Sequence, residues 1–178
     1  MRVGIIGQGY VGLTVARYAA ESFEVIGFDK SSSLVEKLNS GISHIEGIES
    51  EDIQALIKAG KYRATTDGKD LEGCDVIVIA VPTPLDTGRN PDLSFIESAC
   101  DVISQYVTTP TLIINESTSF PGTLRKVIKE RIESGSEVQH LYASSPERVD
   151  PGREDWNQRN TPRLFSGLTP EATQKTRK

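Results

Sequence analysis

Three glycines close to Met1 have the spacing of a phosphate-binding loop. Gly7, Gly9 and Gly12 form the pattern G-x-G-x-x-G, between a short apolar run and a segment with helical periodicity. The first glycine permits a tight turn, the second lets a pyrophosphate approach the backbone, and the third lets helix and strand pack closely. The pattern alone also occurs by chance in glycine-containing turns. In this context it predicts a dinucleotide-binding loop that includes Tyr10 and Val11, with the helix N-terminus directed at the phosphates.

An acidic residue stands where such a loop is usually paired with a carboxylate. Asp29 ends the second predicted strand, close to the offset of about 20 residues at which an acid binds the adenosine ribose hydroxyls. A carboxylate at this point repels a 2′-phosphate, so Asp29 favours NAD over NADP. We interpret the neighbouring Lys30 as a solvated surface lysine.

Polar residues and prolines follow three further predicted strands, at residues 82–85, 115–123 and 144–152. Ligands of open α/β sheets bind beyond the carboxyl ends of the strands, so these segments would border one crevice. Each segment also has a simpler structural interpretation. The prolines can end a strand, and Thr118 or Ser119 can cap the following helix. Glu147 can be a surface acid paired with Arg148. Their common placement at one edge favours a functional role.

The order of predicted elements is that of a mainly parallel sheet with crossover helices, because short β-branched runs alternate with segments of helical periodicity. We predict six strands, at residues 3–6, 24–28, 62–66, 76–81, 111–114 and 138–143. Helices are predicted at residues 11–20, 33–39, 50–59, 92–107 and 123–133, with a last one beginning at 170. The predicted fold is α/β, a Rossmann-type doubly wound sheet with helices on both faces.

Composition excludes several classes of function. The chain has 178 residues and a formal net charge of −5 without a cluster of Lys and Arg, which argues against nucleic-acid or anionic-membrane binding. The spacing of its two cysteines and two histidines does not form a metal-site pattern. The N-terminus does not resemble a signal peptide, and apolar runs stay shorter than the roughly 18 residues of a membrane span. We therefore expect a cytoplasmic protein without a metal.

Four motifs in order resemble the UDP-glucose/GDP-mannose dehydrogenase family, the nucleotide-sugar 6-dehydrogenases. They are G-Q-G-Y-V-G at 7–12, V-P-T-P at 81–84, E-S-T-S-F-P-G-T at 116–123 and S-P-E-R-V-D-P-G at 145–152. The segment T-P-R-L-F-S-G-L-T-P-E-A at 161–172 is also similar to the family. The fourth motif looks more like the UDP-N-acetylhexosamine branch than the UDP-glucose branch, which remains the alternative.

The resemblance implies oxidation of a UDP-sugar at its C6 alcohol to a carboxylate, by two hydride transfers to two NAD+ through cysteine-bound intermediates. The implied substrate is UDP-N-acetylglucosamine or UDP-N-acetylmannosamine. By resemblance, Thr118 would orient a catalytic water or lysine, and Glu147 would assist general-base or hydrolytic steps. The residues implied to border the sugar nucleotide are Glu147, Arg148, Val149 and Asp150. Those implied to line the NAD site are Val81, Pro82, Thr83, Ser117 and Thr118.

Neither cysteine is placed to be the nucleophile that this chemistry needs. Cys74 precedes the fourth predicted strand, at the opposite end of the sheet, and Cys100 belongs to the apolar stripe of a helix. The resemblance places the family's cysteine, its lysine and asparagine partners and a UDP-binding domain beyond Lys178. We expect an NAD-binding domain at 1–150, a connecting tail at 151–178, and NAD binding without turnover. The fragment is expected to be a monomer and the full-length enzyme a homodimer.

Two other hypotheses share the glycine loop. A dehydrogenase of the 3-hydroxyacid or 6-phosphogluconate type would use a lysine later in its chain, and the V-P-T-P and S-P-E-R segments argue against it. A non-catalytic NAD-sensing module that regulates a partner is the second, and its support is the lack of a suitably placed cysteine.

Overall fold

The computed structural model describes residues 1–147 and 160–177, and its strands form one seven-stranded sheet. The strands are β1 (Arg2–Ile6), β2 (Glu24–Phe28), β3 (Tyr62–Thr65), β4 (Val76–Ile79), β5 (Leu112–Asn115), β6 (Leu141–Ser144) and β7 (Ser166–Gly167). Their spatial order is β3-β2-β1-β4-β5-β6-β7. The first six strands are parallel, and β7 pairs antiparallel with β6.

Within the described residues, six α-helices accompany the sheet. They are α1 (Tyr10–Ala19), α2 (Ser32–Asn39), α3 (Ser50–Lys58), α4 (Ser94–Tyr106), α5 (Glu130–Ser134) and α6 (Pro170–Thr176). A 3₁₀ turn spans Gly68–Leu71, and a π-helical segment at Leu124–Lys129 continues directly into α5.

Alternate residues of a strand point to opposite faces of the sheet. Helices cover both faces and bury the apolar side chains on each. On one face, the strands and helices α1 to α3 form a buried cluster that includes Val3, Ile5, Leu13, Val25 and Ile53. On the other face, α4 and the π-helical segment contribute to a cluster that includes Ile77, Ile79, Ile96, Ile103 and Ile128. Each fully buried side chain of this size stabilises the fold by about 1.5–3 kcal/mol. The continuous apolar run Val-Ile-Val-Ile of β4 therefore contributes side chains to both buried clusters.

The α/β doubly wound fold predicted from the sequence is confirmed, and all six predicted strands are present. One short strand was not predicted. Ser166–Gly167 joins the edge of β6, and α6 packs beside it through the buried Ala172. A strand of two residues has no periodicity that a sequence could display. The division of the chain after residue 150 stays a prediction.

The strand order positions a ligand crevice between β1 and β4. The chain moves outward from β1 through β2 to β3, then returns to β4 and continues outward on the other side. Such a reversal leaves a gap outside the carboxyl ends of the two central strands, where open α/β sheets bind ligands. Gly7 and Ala80 follow β1 and β4 at this point.

Within residues 1–147 and 160–177, no helix has the length and apolarity to cross a lipid bilayer. The same ranges contain no group of three His, Cys, Asp or Glu side chains arranged to hold a metal ion. Three residues predicted to border the substrate, Arg148, Val149 and Asp150, lie outside the described residues.

Candidate functional site

The glycine loop adopts a conformation that two of its glycines are needed to form. Gly7 has φ of 92°, and a Cβ atom there would lie 2.4 Å from the carbonyl oxygen of Ala80. A Cβ on Gly12 would lie 1.8 Å from the carbonyl oxygen of Gly7. Gly9 differs, because a Cβ there would meet nothing within 4 Å. Two glycines therefore serve the packing of strand and helix, and Gly9 faces open space.

Helix α1 begins immediately after that open position. Gly9 is its N-cap residue, and no side chain caps the helix at this end. Tyr10 is 40% exposed and Val11 is half-buried at the first turn. The first N–H groups of a helix lack intrahelical partners and carry the positive end of the helix dipole. The loop thus presents main-chain N–H groups where a pyrophosphate can approach, which is the geometry that a dinucleotide requires.

Gln8, between the two glycines, lies fully inside the protein. Its side-chain amide donates to the carbonyl oxygens of Ile5 and Gly7 at 3.0 and 3.1 Å, and its Oε1 accepts from the Tyr62 hydroxyl at 2.8 Å. The side chain passes over Gly27 of β2, where a Cβ would lie 2.4 Å from Gln8 Oε1. These hydrogen bonds fix the backbone of the loop from the interior of the protein. Burial, with Asp29 nearby, raises the pKa of Tyr62 and keeps its hydroxyl a donor.

Asp29 follows β2 and is tied to the glycine loop. Its Oδ2 accepts from the backbone N–H of Gln8 at 2.8 Å, and its Oδ1 accepts from that of Ser31 at 2.9 Å. Each oxygen keeps a lone-pair direction for a further donor. The carboxylate is therefore held in place and can still accept from ribose hydroxyls.

A cavity of about 490 Å³ lies beside Asp29. The residues that line it come from the glycine loop, the ends of β1, β2 and β4, and helices α2 and α4: Ile6, Gly7, Gly9, Phe28, Asp29, Lys30, Leu34, Val81, Pro82, Ser94, Phe95, Ser98 and Ala99. Lys30 is exposed, and its ammonium group also donates to the Ser98 hydroxyl across the cavity. This cavity has the apolar walls and single carboxylate that an adenosine group needs.

A second cavity, of about 310 Å³, shares Gly9, Val81 and Pro82 with the first. It brings together six further residues that the sequence predicted for the site: Tyr10, Val11, Thr83, Ser117, Thr118 and Glu147. The predicted residue Gly12 lines neither cavity. Ala80 and Glu116 complete its walls. The two cavities meet at the second glycine, so a dinucleotide whose pyrophosphate rests there would place one base in each.

Ser117 is nearly buried, and its hydroxyl is used within the protein. It accepts from the N–H of Val81 at 2.9 Å and donates to the carbonyl of Ile79 at 3.4 Å. These bonds connect the segment after β5 to the segment after β4. Ser117 therefore shapes the cavity wall, while the exposed Thr118 presents its side chain beside the opening.

Two carboxylates and one guanidinium form an ion-pair network at the edge of the second cavity. Arg163 donates to Glu116 Oε1 at 2.5 Å and to Glu147 Oε2 at 2.8 Å. Burial raises the pKa of Glu116, and Arg163 acts in the opposite direction. Arg163, a partner of Glu147, thus lies beyond residues 148–159 in the sequence.

Neither cysteine lines either of the two cavities. Cys74 is 2% exposed, and burial raises its pKa to about 11. Cys100 is fully buried on α4, and burial raises its pKa to about 12. A nucleophilic cysteine needs thiolate character and access to the substrate. The interpretation of Cys100 as a structural core residue is confirmed by its burial.

We expect both thiols to react slowly in the folded chain. At neutral pH an aromatic disulfide reagent should modify either cysteine more than about a hundredfold more slowly than free cysteine, because the thiolate fraction and the access are both small. Release of the coloured thiolate measures the rate, and unfolding in urea should restore normal reactivity. Rapid reaction of a folded-state thiol, slowed by added NAD, would contradict the placement of both cysteines.

Sequence reasoning missed four residues of this region: Gln8, Tyr62, Glu116 and Arg163. Gln8 occupies a variable position of the glycine motif, and Glu116 was quoted within a motif without a role. A polar residue between strand and helix, with a glycine inside the adjacent strand, was the available signal for Gln8. Arg163 carried no signal of its own, since its partners are distant in sequence.

Comparison with known proteins matches the family model for the NAD-binding domain of the UDP-glucose/GDP-mannose dehydrogenase family over residues 1–178. The chain is 38% identical to the UDP-N-acetyl-D-mannosamine dehydrogenase of Pyrococcus horikoshii, covering 86% of this chain and 38% of that one. It is 29% identical to a UDP-N-acetyl-D-glucosamine 6-dehydrogenase of Pseudomonas aeruginosa, covering 96% of this chain and 41% of that one.

A solved structure agrees with these sequence matches. The UDP-D-ManNAc dehydrogenase structure from Pyrococcus horikoshii superposes with a TM-score of 0.90 at 33% identity, covering 99% of this chain and 43% of that one. The chain therefore spans about two fifths of the length of the curated relatives it matches.

Proposed function

The chain belongs to the UDP-glucose/GDP-mannose dehydrogenase family, and on that premise we propose that its NAD site serves the oxidation of a UDP-N-acetylhexosamine at C6 to a uronate. The observation that carries this proposal is the second cavity, where Thr118 and Glu147 line the same space as Gly9 of the phosphate loop. The names of the relatives support N-acetylated mannosamine or glucosamine as the sugar. The cofactor is NAD, for which the family's domain is described.

The residues of this chain would divide the work between two cavities. The adenosine half of NAD would lie beside Asp29, with its ribose hydroxyls on the carboxylate, and the pyrophosphate would rest on the N–H groups that follow Gly9. The nicotinamide would then lie in the second cavity, against Val81, Pro82 and Thr83. NAD supplies a hydride acceptor there when it is bound.

Two side chains of the second cavity can assist the chemistry. The hydroxyl of Thr118 is exposed beside the opening, where it can orient a water molecule or a substrate group by hydrogen bonding. Glu147 can accept a proton from an alcohol or a water when its carboxyl group is ionised. We propose these roles for Thr118 and Glu147, together with contact between Glu147 and the sugar.

We propose that the nucleophilic thiol of the reaction is neither Cys74 nor Cys100. Both cysteines are buried and neither lines a cavity, which supports this proposal. A covalent oxidation needs a thiolate beside the nicotinamide. Residues 1–178 alone are therefore expected to bind NAD without forming NADH.

The proposal is tested with two preparations. Calorimetry on residues 1–178 should show NAD binding, and mixing this chain with NAD+ and a UDP-sugar should produce no NADH. In the full-length protein, NADH should form only with a nucleotide sugar, in a ratio of two NADH to each sugar oxidised. UDP-N-acetylmannosamine, UDP-N-acetylglucosamine and UDP-glucose are assayed side by side to identify the substrate. Oxidation of a 3-hydroxy acid in their place, or NADH formation by residues 1–178, would overturn the assignment.

A further inference from the structure

The Arg163 network joins three segments that are distant in sequence. Glu116 follows β5, Glu147 follows β6, and Arg163 lies 47 residues after Glu116 and 16 after Glu147. The exposed fractions of the three side chains are 25% for Arg163, 6% for Glu116 and 14% for Glu147. Charges that are buried away from water interact strongly, and each must be compensated by a partner.

The guanidinium is suited to hold two carboxylates because its N–H groups form a rigid planar fork. Its Nη1 takes Glu116 and its Nη2 takes Glu147, so that one cation separates two anions that would otherwise repel each other. Among the described residues, the charged groups that act on the Glu116 carboxyl are Arg163 and Glu147. The two carboxyl groups therefore act on each other directly, and both are bound by the Arg163 guanidinium.

Glu116 is the immobile member of the network. Its backbone N–H donates to the carbonyl of Ile79 at 2.9 Å, which fixes it to the end of β4, and its side chain is buried where it lines the second cavity. Its other oxygen, Oε2, is buried without a hydrogen-bond partner among the described residues. A carboxyl group buried in this way needs a partner, and Arg163 donates to its Oε1.

We propose that Arg163 is a positioning residue that connects the anchored Glu116 to Glu147 and so holds the Glu147 carboxylate at the wall of the second cavity. This inference rests on the proposed function, because it assigns Glu147 its place beside the nicotinamide. Arg163 itself lines neither cavity. Its effect on the reaction passes through Glu147, whose Oε2 accepts from the Arg163 guanidinium at 2.8 Å.

The test is a titration of the side-chain carboxyl groups of residues 1–178 by ¹³C NMR without NAD. Arg163→Ala should raise the pKa of both Glu116 and Glu147 by at least about one unit, since each loses an opposite charge within contact distance. Glu116→Gln should lower the pKa of Glu147 by at least about half a unit, because one negative charge leaves the network. Arg131→Ala, which removes an arginine paired with Asp101 and Glu97 outside both cavities, is the control and should change neither value.

The outcomes separate the inference from the proposed function. If Arg163→Ala leaves the pKa of Glu147 unchanged, or shifts only the pKa of Glu116, the positioning role is overturned. If Arg163→Ala fails to fold, Glu116→Gln tests the inference instead. An unchanged pKa of Glu147 in that variant would show that the two carboxylates are independent, and would overturn the inference. The titration uses no cofactor, so a chain that binds no NAD would refute the proposed function without altering this result. In the full-length protein, Arg163→Ala should lower kcat at least tenfold with little change in KM for NAD.

Discussion

Replacing Gly9 with alanine should leave the domain folded and remove most of its affinity for NAD. A Cβ at this position meets no protein atom within 4 Å, and alanine in place of an N-cap glycine costs less than about 1 kcal/mol. The added methyl group would occupy the space through which the pyrophosphate approaches the N–H groups of α1. We expect the Kd for NAD to rise at least about 30-fold, equivalent to about 2 kcal/mol, as measured by calorimetry.

Gly12→Ala is the matched variant that separates ligand contact from packing. Its Cβ would lie 1.8 Å from the carbonyl oxygen of Gly7, so the backbone of strand and helix must move apart. We expect its free energy of unfolding to fall by about 1–3 kcal/mol in urea titrations, whereas that of Gly9→Ala stays close to the parent value. An affinity for NAD within threefold of the parent in Gly9→Ala would place the pyrophosphate elsewhere.

The second large effect concerns the choice between NAD and NADP. The parent chain should bind NAD at least tenfold more tightly than NADP, because we expect the Asp29 carboxylate to accept from ribose hydroxyls and to repel a 2′-phosphate. Asp29→Asn removes the charge and one acceptor. A hydrogen bond to a charged group contributes about 1.5–3 kcal/mol, so the affinity for NAD should fall about tenfold or more. The affinity for NADP should change less, and the preference should shrink to within about threefold.

Asp67→Asn is the control for this experiment, since Asp67 also accepts a backbone N–H, from Lys69 at 2.9 Å, but lies outside both cavities. It should leave both affinities unchanged. Lys30 lines the same cavity as Asp29. In the Asp29→Asn background, Lys30→Ala should lower the affinity for NADP, because it removes a cation. Equal affinities of the parent chain for the two cofactors would sink the assignment of Asp29.

Much of the nucleotide site could be predicted from the sequence because its geometry is local. Gly7 needs a positive φ, and Gly12 needs to lack a Cβ, within one strand-to-helix turn. Asp29 follows β2, which is the next strand in the chain and also the neighbour of β1 in the sheet. Contacts between elements adjacent both in sequence and in space leave a readable pattern of residue types and spacing.

The remaining members of the site depend on contacts between distant segments. The Tyr62 hydroxyl donates to Gln8, 54 residues away in the sequence, because β3 lies beside β2. Tyr62 belongs to the buried cluster on the sheet face covered by α1 to α3. The sequence signal for the burial of Gln8 is Gly27 in the adjacent strand, which makes room for its side chain only after the two strands pair. The start of β6 at Leu141, three residues later than predicted, is likewise decided by where the strand can pair with Leu112 of β5.

The amino-acid sequence by itself determined the parallel sheet, the glycine turn and the family resemblance, because periodicity and turn chemistry act over a few neighbouring residues. It also predicts Asp29 as the acid that would select NAD. Tertiary structure alone decided that Gln8 supports the loop from inside, that Ser166–Gly167 adds a seventh strand, and that Arg163 joins Glu116 to Glu147. Those interactions exist only after the strands assemble in their spatial order, which brings remote charges and hydrogen-bonding groups out of water and obliges them to pair.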